Sequence, residues 1–230
     1  QTIVIPDRDT AMNAAIASHI DSAEAVFVAG GDQSTYVNNW RGTPTLAALN
    51  RAGQRAVVGG TSAGLAIQGA FLFAALNGST TSATTLANPY HAELALERDF
   101  LAWPGLARVI TDSHFGARDR MGRLLTFLGR INVDGWQASP YGLGVDEGTA
   151  ILLSHDGHAD VIGKGNVYLV EPQEAPSMCV EDEPYGVNNV RVTRITNGSS
   201  FALPNSSARV GRAKDASSVT YTLQVHAGVV

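Results

Sequence analysis

The chain is poor in three things. Its 230 residues contain one cysteine, Cys179. An intrachain disulfide and a cysteine-based zinc site are therefore excluded, while either redox compartment stays open. Lysine occurs only as Lys164 and Lys214, and no run of Lys and Arg interrupts a formal net charge of -5. A concentrated basic surface for nucleic acid or an anionic membrane is missing, so neither is the expected partner. Long apolar runs are absent as well: nothing reaches the roughly 20 residues that cross a bilayer. Gln1 to Pro6 has no charged region followed by an apolar run, so a cytoplasmic chain and a secreted one already freed of its leader read alike. What is present is globular composition, 44% hydrophobic and 16% charged, in a length that one domain, residues 1–230, accommodates with a sizeable core.

Short apolar runs alternate with helical-period segments over the first two thirds, the pattern of parallel strands joined by crossover helices. Ile3-Val4-Ile5 reads as a strand, and Met12, Ala15, Ile16 and Ile20 as one helix behind an Asp9 or Thr10 cap. Ala25 to Ala29 reads as a buried strand ending in Gly30-Gly31, Pro44 to Ala52 as a helix, Ala56 to Val58 as a strand and Ala63 to Leu76 as a small-residue helix. The Ser/Thr/Gly-rich segment 77–88 reads as a loop. Ala107 to Thr111 is a further strand, and Arg118 to Arg130 a helix with Met121, Leu124, Leu125 and Leu128 on one face. Beyond Leu143 the strands shorten. Asp156-Gly157 sits between Ala150 to Leu153 and Ala159 to Ile162 as a hairpin turn, followed by a polar tail from Ser177 with strand-like pieces at Val190 to Val192 and Val219 to Val225. The expectation is an α/β fold, a mostly parallel sheet flanked by helices with an antiparallel C-terminal extension.

Gly60-Thr61-Ser62-Ala63-Gly64 follows a strand and opens a helix, the context of a G-x-S-x-G nucleophile elbow. Such a turn aims the Ser62 hydroxyl outward beside free N–H groups suited to an oxyanion; the bland alternative is an ordinary helix N-cap. Gly30-Gly31-Asp32-Gln33 ends the preceding strand on the same carboxyl edge, where Gly31 could give a second N–H and Gln33 a hydrogen bond. Asp112-Ser113-His114 ends another strand there, and a serine needs such a base. Asp146 and Glu147 end the next; alternation lets only one point inward, Glu147 first and Asp146 in reserve, with Asp112 a third contender. By helical phase Arg118 falls near the buried face, Arg120 to its side and Arg123 mostly outward. On that reading they form no single patch: Arg118 clamps a carboxylate and Arg123 is as readily a solvated surface charge. His155 and His158 flank the hairpin, so no metal is expected.

Together Gly30 to Gln33, Gly59 to Gly64, Asp112 to Phe115 with Arg118, Arg120 and Arg123, and Gly144 to Ala150 resemble the cyanophycinase family, over about Ile3 to Pro172. The resemblance implies a class I glutamine amidotransferase-like, flavodoxin-like fold with serine in place of that fold's cysteine. It implies a Ser62, His114, Glu147 triad, oxyanion donors at Gly31 and Ala63, a substrate pocket lined by Gln33, Asp112, Ser113, Arg118, Arg120 and Arg123, no cofactor, and a homodimer. The substrate it implies is cyanophycin, a poly-aspartate bearing arginine, cut to β-aspartyl-arginine dipeptides, with Asp112 free to meet a substrate guanidinium. Ser113 departs from the glutamine common in the family, and the domain is expected to lack the family's first strand and helix. A peptidase for short aspartyl or isoaspartyl peptides and a silent binding domain are the competing readings.

Overall fold

The computed structural model describes residues 1–203 and 218–230, so part of the polar tail, residues 204–217, lies outside the described residues. Asp7 caps α1 (Arg8–Ala11) by accepting from Thr10 N at 2.8 Å. Asn13 caps α2 (Ala14–Ser22) through Ala15 N at 2.9 Å. The single helix read behind Asp9 or Thr10 is thus two, because a side-chain oxygen satisfying a new N-terminus ends the old helix at Met12. Ile3–Ile5 forms no strand: β-branched residues become a strand only with a ladder partner, and among the described residues none pairs with them.

β1 (Ala25–Val28) is followed by α3 (Gln33–Trp40), capped by Asp32, then by α4 (Pro44–Arg55), capped by Thr43 with Pro44 in its first turn, and β2 (Val57–Gly60). β1 and β2 pair in parallel, with Val26 and Val58 turned to the core. The strand expected to be buried is not covered on its other face: Phe27 is 69% and Val57 74% exposed. They line a cavity of about 990 Å³ bounded on the far side by residues 149–154. An apolar run records propensity but not whether a layer lies over it.

The helix expected to reach Leu76 is only α5 (Ala63–Ala66), and Phe71–Phe73 is β3. Gly69 ends any continuation: its backbone lies so close to β5 (Val109–Asp112) that a Cβ would fall 2.3 Å from the Val109 carbonyl oxygen. The segment read as loop contains α6 (Ser82–Ala87), with Thr81 as cap; a strong cap and tertiary packing outweigh the poor helix propensity of its Ser and Thr. β4 (Leu96–Arg98) precedes β5, and α7 (Met121–Val133) follows it. Then come β6 (Tyr141–Val145), β7 (Thr149–Leu153), β8 (His158–Gly163), β9 (Asn166–Pro172), β10 (Val187–Thr196), β11 (Ser200–Ala202) and β12 (Ser218–Val225).

The fold is α/β with an antiparallel extension. Among the described residues one sheet runs β12-β10-β9-β6-β5-β3-β4; β3, β5 and β6 are mutually parallel, while β9, β10 and β12 extend it antiparallel. β7 and β8 form the hairpin across Asp156-Gly157, with β11 added. α7 covers the long sheet with Leu124, Leu125, Phe127, Leu128 and Ile131 fully buried, each contributing about 1.5–3 kcal/mol. The parallel strands β1, β2, β5 and β6 thereby deliver Gly31, Ser62, His114 and Glu147 from their carboxyl ends.

Leu128→Ala should lower unfolding stability by about 2–5 kcal/mol, whereas Phe27→Ser should change it by less than about 0.5 kcal/mol. Urea denaturation compares them, and equal losses would contradict this placement of the core.

Candidate active site

Ser62 sits at φ 52°, ψ -115° between β2 and α5. That region costs a non-glycine residue on the order of 1–3 kcal/mol and is held only by tight surroundings. Gly60 and Gly64 supply them: a Cβ on Gly60 would lie 2.3 Å from the Gly64 carbonyl oxygen, and one on Gly64 2.2 Å from that of Val28. An N-cap serine would turn its hydroxyl onto the first helical turn; Ser62 makes no such bond. Its Oγ lies 2.8 Å from His114 Nε2 instead.

His114 also has positive φ, 49°. Phe115 anchors it from the core, 2% exposed, donating its N–H to Val145 O at 3.2 Å and packing its ring against Tyr168 and the bare backbone of Gly144. His114 Nδ1 is 2.6 Å from Glu147 Oε1. A carboxylate only accepts, so Nδ1 carries the proton, leaving the lone pair of Nε2 to accept the Ser62 hydroxyl. Asp146 faces away and takes Gly116 N at 2.8 Å and Asn166 N at 2.9 Å. Neither Asp146 nor Asp112 reaches the imidazole.

The arginines depart from the helical-phase reading. α7 begins at Met121, so Arg118 and Arg120 precede it in a turn to which helical phase does not apply. Arg123 is on the helix but 2% exposed, not a surface charge. Its side of α7 is covered by Phe73 and residues 80–82 rather than by water. Arg123 Nε donates to Asp112 Oδ2 at 2.7 Å and Arg120 Nη1 to Asp112 Oδ1 at 3.2 Å and Ser113 O at 2.7 Å. Asp112, itself 2% exposed, is saturated by these two guanidinium groups. It is therefore not free to meet a substrate guanidinium. Burial pulls Arg120 down to about 10, opposed by Asp112 and assisted by Arg123 and Arg118, and it stays charged at neutral pH.

All three arginines line one cavity of about 240 Å³ with Ser62, His114 and Gln33, a single patch after all. Three cations there stand against the buried carboxylate of Asp112 and the exposed one of Asp32, an excess of positive charge that favours an anionic group. Ser113 and Asp112 form part of its wall. Gln33 donates Nε2 to Phe73 O at 3.2 Å, which leaves its Oε1 as the free acceptor. Gly31 and Ala63 border the cavity, and among the described residues neither N–H has a hydrogen-bond partner. Ala75, Gly78 and Ser79 also line it, Gly78 and Ser79 from the segment read as a polar loop and Ala75 from the one read as helix. Among the described residues no group of three His, Cys, Asp or Glu side chains could hold a metal ion, and no helix is long and apolar enough to cross a membrane.

The model of a family described as Peptidase family S51 matches residues 7–162. A cyanophycinase from Trichormus variabilis and one from Nostoc sp. are each 28% identical over 206 residues, covering 86% of this chain and 63% of theirs. A cyanophycinase from Geminocystis herdmanii is 28% identical over 189 residues, 80% of this chain and 64% of its own. The chain thus spans somewhat under two thirds of the length of these curated relatives. The crystal structure of a peptidase from an acI-B1 Actinobacterium superposes with a TM-score of 0.55 at 17% identity, over 85% of this chain and 66% of that one, a likeness of fold.

Asp112→Asn should destabilise the protein by about 3–5 kcal/mol, since it leaves Arg120 and Arg123 buried without their counter-charge. Guanidinium denaturation measures it; an unchanged midpoint would show that solvent, not Asp112, balances these cations.

Proposed function

The chain belongs to peptidase family S51, and from that premise we propose that it is a serine-type hydrolase releasing dipeptides from cyanophycin-like aspartyl polymers. The observation that carries this is the line of two hydrogen bonds, Ser62 Oγ to His114 Nε2 at 2.8 Å and His114 Nδ1 to Glu147 Oε1 at 2.6 Å. The similarity to cyanophycinases supports the substrate class.

In this reading His114 Nε2 takes the Ser62 proton as Oγ attacks the scissile carbonyl carbon. Glu147 holds the ring in the required tautomer and balances the imidazolium. The unpartnered N–H groups of Gly31 and Ala63 receive the oxyanion. His114 then hands its proton to the leaving amine, the C–N bond breaks, and the acyl group stays on Ser62 until a water, deprotonated by the same histidine, releases it. Arg118, exposed and next to the cavity, takes a substrate carboxylate, with Arg120 and Arg123 adding fixed positive charge behind it. Gln33 Oε1 accepts from a substrate N–H. The chemistry calls for no metal or cofactor.

A second reading, hydrolysis of short aspartyl or isoaspartyl peptides, is favoured by one specific observation. Asp112, the carboxylate expected to meet a substrate guanidinium, is engaged by two arginines, which leaves an arginine-bearing substrate only the exposed Asp32 in this cavity among the described residues.

Dipeptide release from cyanophycin and cleavage of β-aspartyl dipeptides, assayed side by side, separate the two readings. Ser62→Ala should lower either activity by about 10³-fold or more, and Glu147→Gln by about 10²-fold or more. Turnover of the dipeptides alone would select the second reading, and full activity in Ser62→Ala would refute both.

A further inference from the structure

Asp146 takes no part in the chemistry proposed above, yet its carboxylate sits where three backbone segments meet. Oδ1 accepts from Gly116 N at 2.8 Å, two residues beyond His114. Oδ2 accepts from Asn166 N at 2.9 Å and Asn166 Nδ2 at 3.1 Å, at the start of β9. Its own N–H donates to Asn166 O at 3.0 Å, so Asp146 and Asn166 grip each other through main chain and side chain together. On the far side of Glu147 the same turn is closed by Thr149 Oγ1, which accepts from Gly165 N at 2.8 Å and donates to Glu147 O at 3.3 Å.

The fit is close: a Cβ on Gly165 would lie 2.5 Å from Asp146 Cβ, and one on Gly116 3.0 Å from Asp146 Oδ1. Asp146 ties the His114 loop, the first segment, to its own turn, the second, and these two carry the two halves of one hydrogen bond. His114 lies on the first at φ 49°, a conformation that relaxes unless its surroundings hold it. Glu147 lies on the second with a side chain 58% exposed, where packing does not fix it. The separation of their backbones decides whether Nδ1 and Oε1 meet at 2.6 Å.

We infer that Asp146 is a positioning residue. By clamping the His114 loop to the Glu147 turn through Gly116 and Asn166, it holds the imidazole in line with Ser62 without touching it. The inference rests on the hydrolase reading of Ser62, His114 and Glu147. A misplacement near 1 Å costs on the order of 10²-fold in rate and leaves substrate contacts largely alone.

The test uses Asp146→Asn, close to wild type in size, with three readouts: the rate of Ser62 labelling by a fluorophosphonate, kcat and KM on the substrate that the wild type turns over, and the low-field proton resonance of the His114–Glu147 bond. Labelling and kcat should fall by about 10- to 100-fold with KM within about twofold, and the resonance should move upfield or vanish. A folded Asp146→Asn protein with wild-type labelling, kcat and resonance would overturn the inference. Where Asp146→Asn does not fold, Asn166→Ala decides, since it deletes one of the three donors: a loss of about threefold in kcat alone supports the clamp, and unchanged kinetics overturn it. A wild type that the fluorophosphonate does not label overturns the hydrolase reading, and a resonance that still depends on Asp146 then keeps the clamp as geometry without its catalytic purpose.

Discussion

The hydrogen bond from Ser62 to His114 crosses between two sheets, and the rest of the molecule can be understood as what keeps its ends together. Ser62 hangs from β2, in the two-stranded sheet; His114 follows β5, in the seven-stranded one. Among the described residues no ladder joins those sheets. The joint is α5, one turn of Ala-Gly-Leu-Ala small enough to lie against both. Gly64 rests on the carbonyls of β1, and Thr111 in β5 donates its hydroxyl to Leu65 O at 2.7 Å. A few residues on, Gly69 touches the β5 backbone and Ala70 N bonds Leu106 O. Backbones that approach this closely leave no play, and a 2.8 Å bond across a sheet boundary requires that.

The second constraint is electrostatic. Asp112 ends β5 beneath the cavity, and its burial alone would be costly. Arg120 from the turn and Arg123 from α7 satisfy it, and in doing so tie the start of α7 to the end of β5. Two cations on one carboxylate leave positive charge over, and Arg118 adds to it at the cavity mouth. The same residues thus hold the His114 loop from below and set the sign of what the cavity attracts. This follows from desolvation: buried guanidinium groups keep their charge where a lysine would shed it.

Much of this was legible because parallel strands collect chemistry at one edge. Gly31, Ser62, His114 and Glu147 each follow a short apolar run, and locating the runs places those residues at one strand edge. Alternation lets only one of Asp146 and Glu147 point inward, without saying which. What could not be read was burial by neighbours distant in sequence. Arg123 falls outward of the apolar stripe on α7, but α6 and Phe73 lie on that side, and nothing in the helix's own period announces them. Phe71 to Phe73 looks like the end of a helix until β4 offers it a ladder, and Ile3 to Ile5 looks like a strand that finds none among the described residues. Capping misled for a different, local reason: Asp7 and Asn13 won the competition through backbone geometry, although several polar neighbours were equally eligible by type.

Ser62 and His114 share one more property, and it explains why so much packing converges on them. Both lie at positive φ, 52° and 49°, where a side chain with a Cβ is disfavoured and an unsupported turn would relax. Relaxation of either would rotate its side chain out of the plane of the other. The support differs in kind on the two sides. Around Ser62 it is steric, through glycines at 60 and 64 whose missing Cβ atoms are filled by backbone. Around His114 it is polar and aromatic: Phe115 plugged into Gly144, Asp112 held beneath, and Asp146 accepting from Gly116. Strain on the steric side can be released only by moving whole segments of main chain, whereas strain on the polar side is released by losing single hydrogen bonds. The histidine arm is accordingly the softer half of the site, and substitutions that tune the geometry without unfolding the chain are expected to collect around it.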